Sequence, residues 1–220
     1  MKPQQIPVAR EGYPFIGLAA FATLVFALLG LTGLTVAALA LTIFCLYFFR
    51  DPVRITPDVS GGVISPADGR VILINEMTDE RFFHGPCLKI SIFMNIFNVH
   101  VNRIPLAGAV EKISFKPGKF YSADKDKAAL HNEYCALGLK SSDGIPYTVV
   151  QVAGLIARRI VCRAEIGDMV RTGERYGLIR FGSRLDLYLP AGTQATVTVG
   201  EKVRAGETLL ARIAPFSSAG

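Results

Sequence analysis

Hydrophobic and polar positions divide the chain into two stretches with different periods. From Tyr13 to Phe49 no residue is charged, and Leu, Ala and Phe dominate. Runs of this kind are helical in lipid, where only a helix or a closed barrel satisfies its own backbone. One crossing of a hydrocarbon layer takes about 20 residues, so the run is too long for one. Gly30, Thr32 and Gly33 split it into Tyr13–Leu31 and Leu34–Phe49, both short for a span. A helical hairpin with both ends on one side of a membrane fits best; one long tilted helix or a re-entrant pair are the alternatives. A signal peptide would be shorter and end at a small-residue cleavage site, whereas this run closes on Phe48-Phe49-Arg50.

From about Ile55 the period changes to two. "CLKISIFM" sets Leu88, Ile90, Ile92 and Met94 against Lys89, Ser91 and Phe93, the alternation of a strand. "YCALGLKSSDGIPYTVVQVAG" predicts two strands joined by a loop with Asp143-Gly144, a hairpin signal. "RRIVCR", "GLIRF", "RLDLYLP" and "ATVTVG" continue the series, and the one helix candidate is short, around Asp126–Asn132. The expectation is an all-β or β-dominated domain over residues 55–220, preceded by a membrane-associated helical segment over residues 1–54.

"GDMVRTGE" at Gly167–Glu174 and "GEKVRAGE" at Gly200–Glu207 share a Gly-acid pair, Val-Arg and Gly-Glu at an offset of 33 residues. Each reads as two tight turns flanking a short strand, and two such units predict a pseudo-symmetric barrel or sandwich. The turns are similar to those of biotinyl and lipoyl carrier domains. No carrier lysine lies between them; Gly182-Ser183 does.

Composition and charge narrow the partners. The net charge of +6 suits an anionic lipid surface, worth about 1 kcal/mol per nearby Lys or Arg. No recognition helix, zinc finger or RNP-like stretch accompanies it, which argues against nucleic acid. Arg10 precedes the apolar run and Arg50 and Arg54 follow it, so the positive-inside rule places both ends, and the domain beyond, in the cytoplasm at the inner membrane. Cys45, Cys87, Cys135 and Cys162 are scattered, implying neither a disulfide framework nor a zinc site.

Gly182-Ser183 is the candidate for chemistry. A serine hydroxyl pressed against the preceding carbonyl can attack it and convert the amide to an ester. Elimination then breaks the chain and leaves dehydroalanine, which hydrolyses to a pyruvoyl group with loss of ammonia. Glycine before the serine tolerates the backbone geometry at least cost, and the hydroxyl needs a base and something to orient that base. The dipeptide alone is common and usually only turns the chain. His100, in "MNIFNVHVNRIP", and Asp68, in "SPADGRV", are candidates whose bland readings are a satisfied strand histidine and a turn aspartate.

Together, "SPADG", "FNVHVNRIP", "KPGKF", Asn132-Glu133, "AGLIARRIV", "RTGERYGLIRFGSR" and "YLP" resemble, in order from about Pro57 to Pro190, the short, bacterial-type phosphatidylserine decarboxylases. The resemblance implies a proenzyme that cuts itself between Gly182 and Ser183 into chains 1–182 and 183–220, which remain associated. Ser183 becomes the pyruvoyl group and forms the Schiff base with the amine of phosphatidylserine, which is decarboxylated to phosphatidylethanolamine. Asp68 and His100 match the family's maturation aspartate and histidine. Longer members carry a second histidine where Phe97 stands here, so His100 is expected to act twice. Neither PLP nor a metal is expected, and a homo-oligomer is possible.

Arg158, Arg159, Arg180 and Arg184 are candidates for holding the lipid phosphate or carboxylate, or equally for structural pairing; the substrate-binding residues are left unassigned. Three other functions compete on the residues alone. They are a membrane-tethered carrier module, a serine hydrolase built on Ser183 and His100, and a pyruvoyl decarboxylase of a soluble amino acid. The missing G-x-S-x-G elbow disfavours the hydrolase, and the hairpin disfavours a soluble substrate.

Overall fold

The computed structural model describes residues 7–118, 132–154, 159–180 and 183–213. It divides into two compact units, Met1–Val53 and Arg54–Gly220.

The first unit is a helical pair. A 3-10 turn at Arg10–Gly12 leads into α1 (Tyr13–Leu28), and α2 (Thr32–Phe48) follows. α1 stops short of its predicted end at Leu31 because Gly30 turns the chain at φ 70°, a conformation glycine adopts without steric cost, while α2 starts two residues before the predicted Leu34. The hairpin closes at its base, where Ala9 N–H donates to the Phe49 carbonyl at 2.8 Å and Asp51 N–H to Pro7 at 2.7 Å. Midway, the hydroxyls of Thr23 and Thr42 lie 3.2 Å apart. Leu18, Phe21, Leu24, Leu28, Val36 and Ile43 face outward. Among the described residues, Arg10–Leu28 is long and apolar enough to cross a membrane by length and composition, and Thr32–Phe48 is shorter.

The second unit is built of antiparallel strands. β1 (Gly62–Ile64), β2 (Gly69–Asp79) and β3 (Gly85–Met94) come first. A contiguous set follows: β4 (Val101–Arg103), β5 (Gly108–Lys116), β6 (Tyr134–Ser141), β7 (Pro146–Ala153), β8 (Ile160–Cys162), β9 (Met169–Val170) and β10 (Arg175–Ile179). The chain ends with β11 (Ser183–Pro190), β12 (Gln194–Ala195), β13 (Lys202–Val203) and β14 (Leu209–Arg212). The large eight-stranded sheet has the order β13-β2-β3-β11-β7-β6-β5-β9, and two three-stranded sheets have the orders β1-β14-β12 and β4-β10-β8.

That order is a two-fold palindrome. β13, β2, β3 and β11 on one side correspond to β9, β5, β6 and β7 on the other, and β1, β14, β12 to β4, β10, β8. Backbone hydrogen bonds repeat in step. Gly200 N–H reaches Val71 O as Gly167 N–H reaches Val110 O, each at 2.8 Å; Gly206 reaches Ser65 as Gly173 reaches Ile104, again 2.8 Å. Between the halves, Arg103 N–H bonds Pro66 O and Ile64 N–H bonds Pro105 O, both at 2.9 Å. The expected pseudo-symmetry is present. The turn glycines of the repeat, Gly167, Gly173, Gly200 and Gly206, all hold positive φ between 76° and 95°, where a side chain would be strained. One half, β4–β10, is contiguous and is inserted between β3 and β11 of the other.

The inner faces of these strands form the main core, with Ile90, Ile92, Met94, Leu137, Val149, Leu185 and Leu187 among its members. The predicted alternation in β3 is therefore present. The opposite face, that of Lys89 and Ser91, is also covered: Phe82 packs on Tyr134 and Tyr188, and Lys89 pairs with Asp186 at 3.2 Å. "ATVTVG" departs from prediction. Only Gln194–Ala195 is strand, because Thr198 N–H turns to the Glu201 carboxylate at 3.0 Å. The short helix expected around Asp126–Asn132 lies, but for Asn132, outside the described residues.

Candidate active site

Ser183 opens β11, which is paired on both sides: Met94 of β3 and Ala153 of β7 are its cross-strand partners. With Leu185 and Leu187 it occupies the inward face, the period-two consequence of "SRLDLYL". Its side chain is buried, and Oγ has no hydrogen-bond partner among the described residues. A buried hydroxyl left so costs about 1–3 kcal/mol, so this position is held by the surrounding sheet. Gly182, the other half of the candidate bond, lies outside the described residues.

His100 is fully buried and immediately precedes β4. Its Nδ1 lies 2.9 Å from the Asn98 carbonyl. A carbonyl only accepts, so this contact puts the proton on Nδ1 and leaves Nε2 as the basic nitrogen. The preceding loop is fixed by two asparagines, residues suited to such turns. Asn95 N–H donates to Asn98 Oδ1, and Phe97 N–H to Asn95 Oδ1, each at 2.9 Å. Two routes tie His100 to Ser183. This loop leaves β3 directly after Met94, the partner of Ser183, and the His100 carbonyl accepts from Ile179 N–H at 3.4 Å where β10 ends before Ser183.

Asp68 lies at the same end, at the entrance to β2. One carboxylate oxygen accepts from Ala205 N–H at 2.7 Å, and the other from the Arg54 guanidinium at 2.9 Å. Arg54 also bonds Glu207 at 3.1 Å. Arg54 carries no local sequence signal for this role; its partners lie far along the chain. The Asn102–Gln151 pair was also missed. The Gln151 amide donates to Asn102 at 2.8 Å inside the barrel, and Gln151 Oε1 is buried without a partner among the described residues. A lone glutamine within the apolar run "YTVVQVA" was the available sign.

The arginines separate by role. Arg184 is buried on the outer face, its Nε 2.5 Å from Asp186 and its Nη2 donating to Ser91 at 3.0 Å, which is structural pairing. Arg180 N–H meets the Arg159 carbonyl at 3.3 Å, and Arg158 lies outside the described residues. Phe97 is exposed. On β10, burial raises the Tyr176 hydroxyl well above its ordinary range and keeps it neutral. A hydrogen bond from Cys135 lowers the Cys162 thiol to about 7. Among the described residues no cluster of His, Cys, Asp and Glu could hold a metal ion.

A base with a defined tautomer and a buried, partnerless hydroxyl are thus held at one end of a sheet. The sequence profile of the phosphatidylserine decarboxylases matches residues 41–211. The phosphatidylserine decarboxylase proenzyme of Desulfotalea psychrophila is 57% identical over 97% of this chain and 100% of its own. Those of Nitratidesulfovibrio vulgaris and Ralstonia nicotianae are 53% and 47% identical over 98% and 94% of this chain, and 99% and 95% of their own.

Proposed function

Since the chain belongs to the phosphatidylserine decarboxylase family, a group of carboxy-lyases serving phospholipid biosynthesis, we propose that it makes the prosthetic group for this reaction from its own backbone. The observation that carries the proposal is the Ser183 hydroxyl, buried without a partner at the first residue of a central strand. His100 Nε2 takes the Ser183 hydroxyl proton as Oγ bonds to the Gly182 carbonyl carbon. The peptide C–N bond breaks, the proton passes to the freed nitrogen, and an ester remains. Loss of the Ser183 α-proton expels Gly182 as a carboxylate and leaves dehydroalanine at 183. Water adds, ammonia leaves, and a pyruvoyl group ends the chain 183–220. Because attacker and target adjoin, proximity supplies much of the acceleration.

A pyruvoyl ketone conjugated to its amide supplies the electron sink for decarboxylating an amine-bearing substrate. The residues at 183 suit such a group: it would sit in an apolar, water-poor strand position beside Met94 and Ala153. The Asn98 carbonyl keeps His100 in the tautomer whose unprotonated Nε2 can accept and return a proton. Asp68 acts as a positioning residue, clamping the β2 entrance to the turn before β14. β11 lies between β3 and β7, which supports the two chains staying together after the cut. The helical pair over residues 1–54 holds the catalytic domain of residues 55–220 at the cytoplasmic face of the inner membrane, where its lipid substrate resides.

Intact-mass measurement tests this. The purified protein is expected as two chains divided after Gly182, the smaller lacking a free amino terminus and reacting with phenylhydrazine. Ser183→Ala remains one chain, and His100→Gln slows the cut by about 100-fold or more. A Ser183→Ala protein divided at the same bond overturns the proposal.

A further inference from the structure

A cavity of about 540 Å³ opens beside the candidate site, with Asp68, Arg70, Asn95, Asn98, Lys202 and Arg204 in its wall. Its size is that of a small-ligand pocket. It shares Asp68 with the clamp described above and Asn98 with the residue that fixes the His100 tautomer.

The polar groups it offers are nearly all donors. Arg70, Lys202 and Arg204 bring three cations. Arg70 spends one guanidinium nitrogen on the Gly200 carbonyl at 2.7 Å, and among the described residues no carboxylate pairs with its charge. Lys202 Nζ has no partner among the described residues, and Arg204 makes one exposed ion pair, with Glu207 at 3.8 Å, which solvent screens. Asn95 and Asn98 each spend their side-chain oxygen on a backbone N–H, which turns the NH2 end of each amide into the remaining donor. The one carboxylate, Asp68, has its oxygens taken by Arg54 and Ala205 N–H. Such a set selects an oxyanion, and guanidinium groups suit phosphate geometry.

The two-fold relation supplies an independent argument. The positions corresponding to Arg70, Lys202 and Arg204 in the other half are Ala109, Met169 and Arg171. Two of the three cations are absent there, and Met169 is exposed. The fold itself therefore does not require them.

We infer that this cavity binds the phosphodiester of the lipid headgroup, with Arg70, Lys202 and Arg204 as its cations and Asn95 and Asn98 as neutral donors. The inference rests on the function proposed above. Arg70 on β2 and Ser183 on β11 are two strand spacings apart, about 10 Å between backbones. The amine and phosphorus of a phosphoserine headgroup are four bonds apart. In register, Arg70 shares the outer face with Phe93 and Arg184 while Ser183 faces inward, so the amine of a headgroup held here reaches residue 183 around the sheet end, past Asn95 and Asn98.

The test uses the uncleaved Ser183→Ala chain, in which the cavity is complete, and water-soluble glycerophosphoserine. Calorimetry is expected to show binding that weakens about tenfold in K202Q/R204Q. It is unchanged in K112Q/R171Q, which removes two charges from the other half. Glycerophosphocholine competes and inorganic phosphate does so more weakly. No binding, equal affinity in the two double variants, or stronger competition by inorganic phosphate overturns the inference. Chain division is scored separately in K202Q/R204Q with Ser183 present. Division there, with no binding to the Ser183→Ala chain or with equal affinity in the two double variants, sinks only the subsite, whereas an undivided chain alongside the expected binding pattern sinks only the self-cutting.

Discussion

Ser183, His100 and Asp68 stand at one end of a sheet whose other end is its near copy. The two-fold relation places Ile145, Gly61 and Ala107 in the corresponding positions. The correspondence is carried by backbone contacts: Ile213 N–H bonds the Gly61 carbonyl at 2.9 Å as Ile179 N–H bonds that of His100 at 3.4 Å. At the second end, β6 turns directly into β7 through Asp143-Gly144. At the first, that short turn is replaced by the whole inserted half, so β3 and β11 are joined only through residues 95–182. Both junctions of the insertion carry candidate residues: the loop with His100 leaves β3, and the segment with Gly182 enters β11. The fold supplies two equivalent ends, and side chains at the junctions equip one of them. Under the proposed function, what would make the Gly182-Ser183 bond reactive is its surroundings, because the scaffold is shared.

The largest break in this comparison comes from Asp68→Ala, which gives the first end the residue of the second. Arg54 and Asp68 are both nearly buried, and removing one partner of such a pair costs about 3 kcal/mol or more. Glu207 still holds Arg54, so the loss is expected near the lower figure. Urea denaturation measures that loss, and a mass-resolved time course is expected to show the precursor persisting. The converse change, Ala107→Asp, creates no second cut, since no histidine stands at position 61.

A matched pair of smaller changes sharpens it. A Cβ on Gly69 would overlap the Phe93 carbonyl oxygen, and one on Gly108 the Lys140 carbonyl oxygen: the same close approach of strands, once in each half. Overpacking of this kind costs about 1–3 kcal/mol, so Gly69→Ala and Gly108→Ala lower thermal stability alike. Only Gly69→Ala, beside Asp68 and in the cavity wall, is expected to slow chain division as well. Equal rates in the two variants would mean that the chemistry is indifferent to which end is disturbed.

Much of this symmetry was readable in the amino acids, and some was not. The Gly-acid, Val-Arg, Gly-Glu repeat was visible because positive φ restricts the residue at each turn, so the same glycines recur. Its companion, Pro-x-x-Gly-x-Val at 66–71 and again 39 residues later at 105–110, retains only the residues needed for the close strand approach. Without the strand pairing it passes for chance. Ser183, His100 and Asp68 were marked by their surrounding words. Arg54, Asn98 and Gln151 were not, because a hydrogen-bond partner is chosen by folding and leaves no spacing rule behind. The burial of the outer face of β3 was hidden for the same reason: nothing beside Lys89 and Ser91 in the chain marks Asp186 and Arg184 as their partners.

The smallest expected effect on cutting comes from building the dipeptide at the other end. Ile145→Ser places a serine directly after Gly144 in the β6–β7 turn, at the counterpart of Ser183. Gly144 has φ 79°, so the glycine is already in a conformation that opens its carbonyl. The substitution removes a buried side chain and costs about 2–4 kcal/mol, which denaturant titration reads. Yet no base faces the new hydroxyl: Gly61 holds the place of His100 and Ala107 that of Asp68. The turn also brings a competing polar group, the Ser141 hydroxyl, which accepts from Ile145 N–H at 3.1 Å; among the described residues the Ser183 hydroxyl has no such partner. Intact mass is therefore expected to show division after Gly182 alone. A second cut after Gly144 would mean that the dipeptide, rather than its buried setting and its base, determines where this chain breaks.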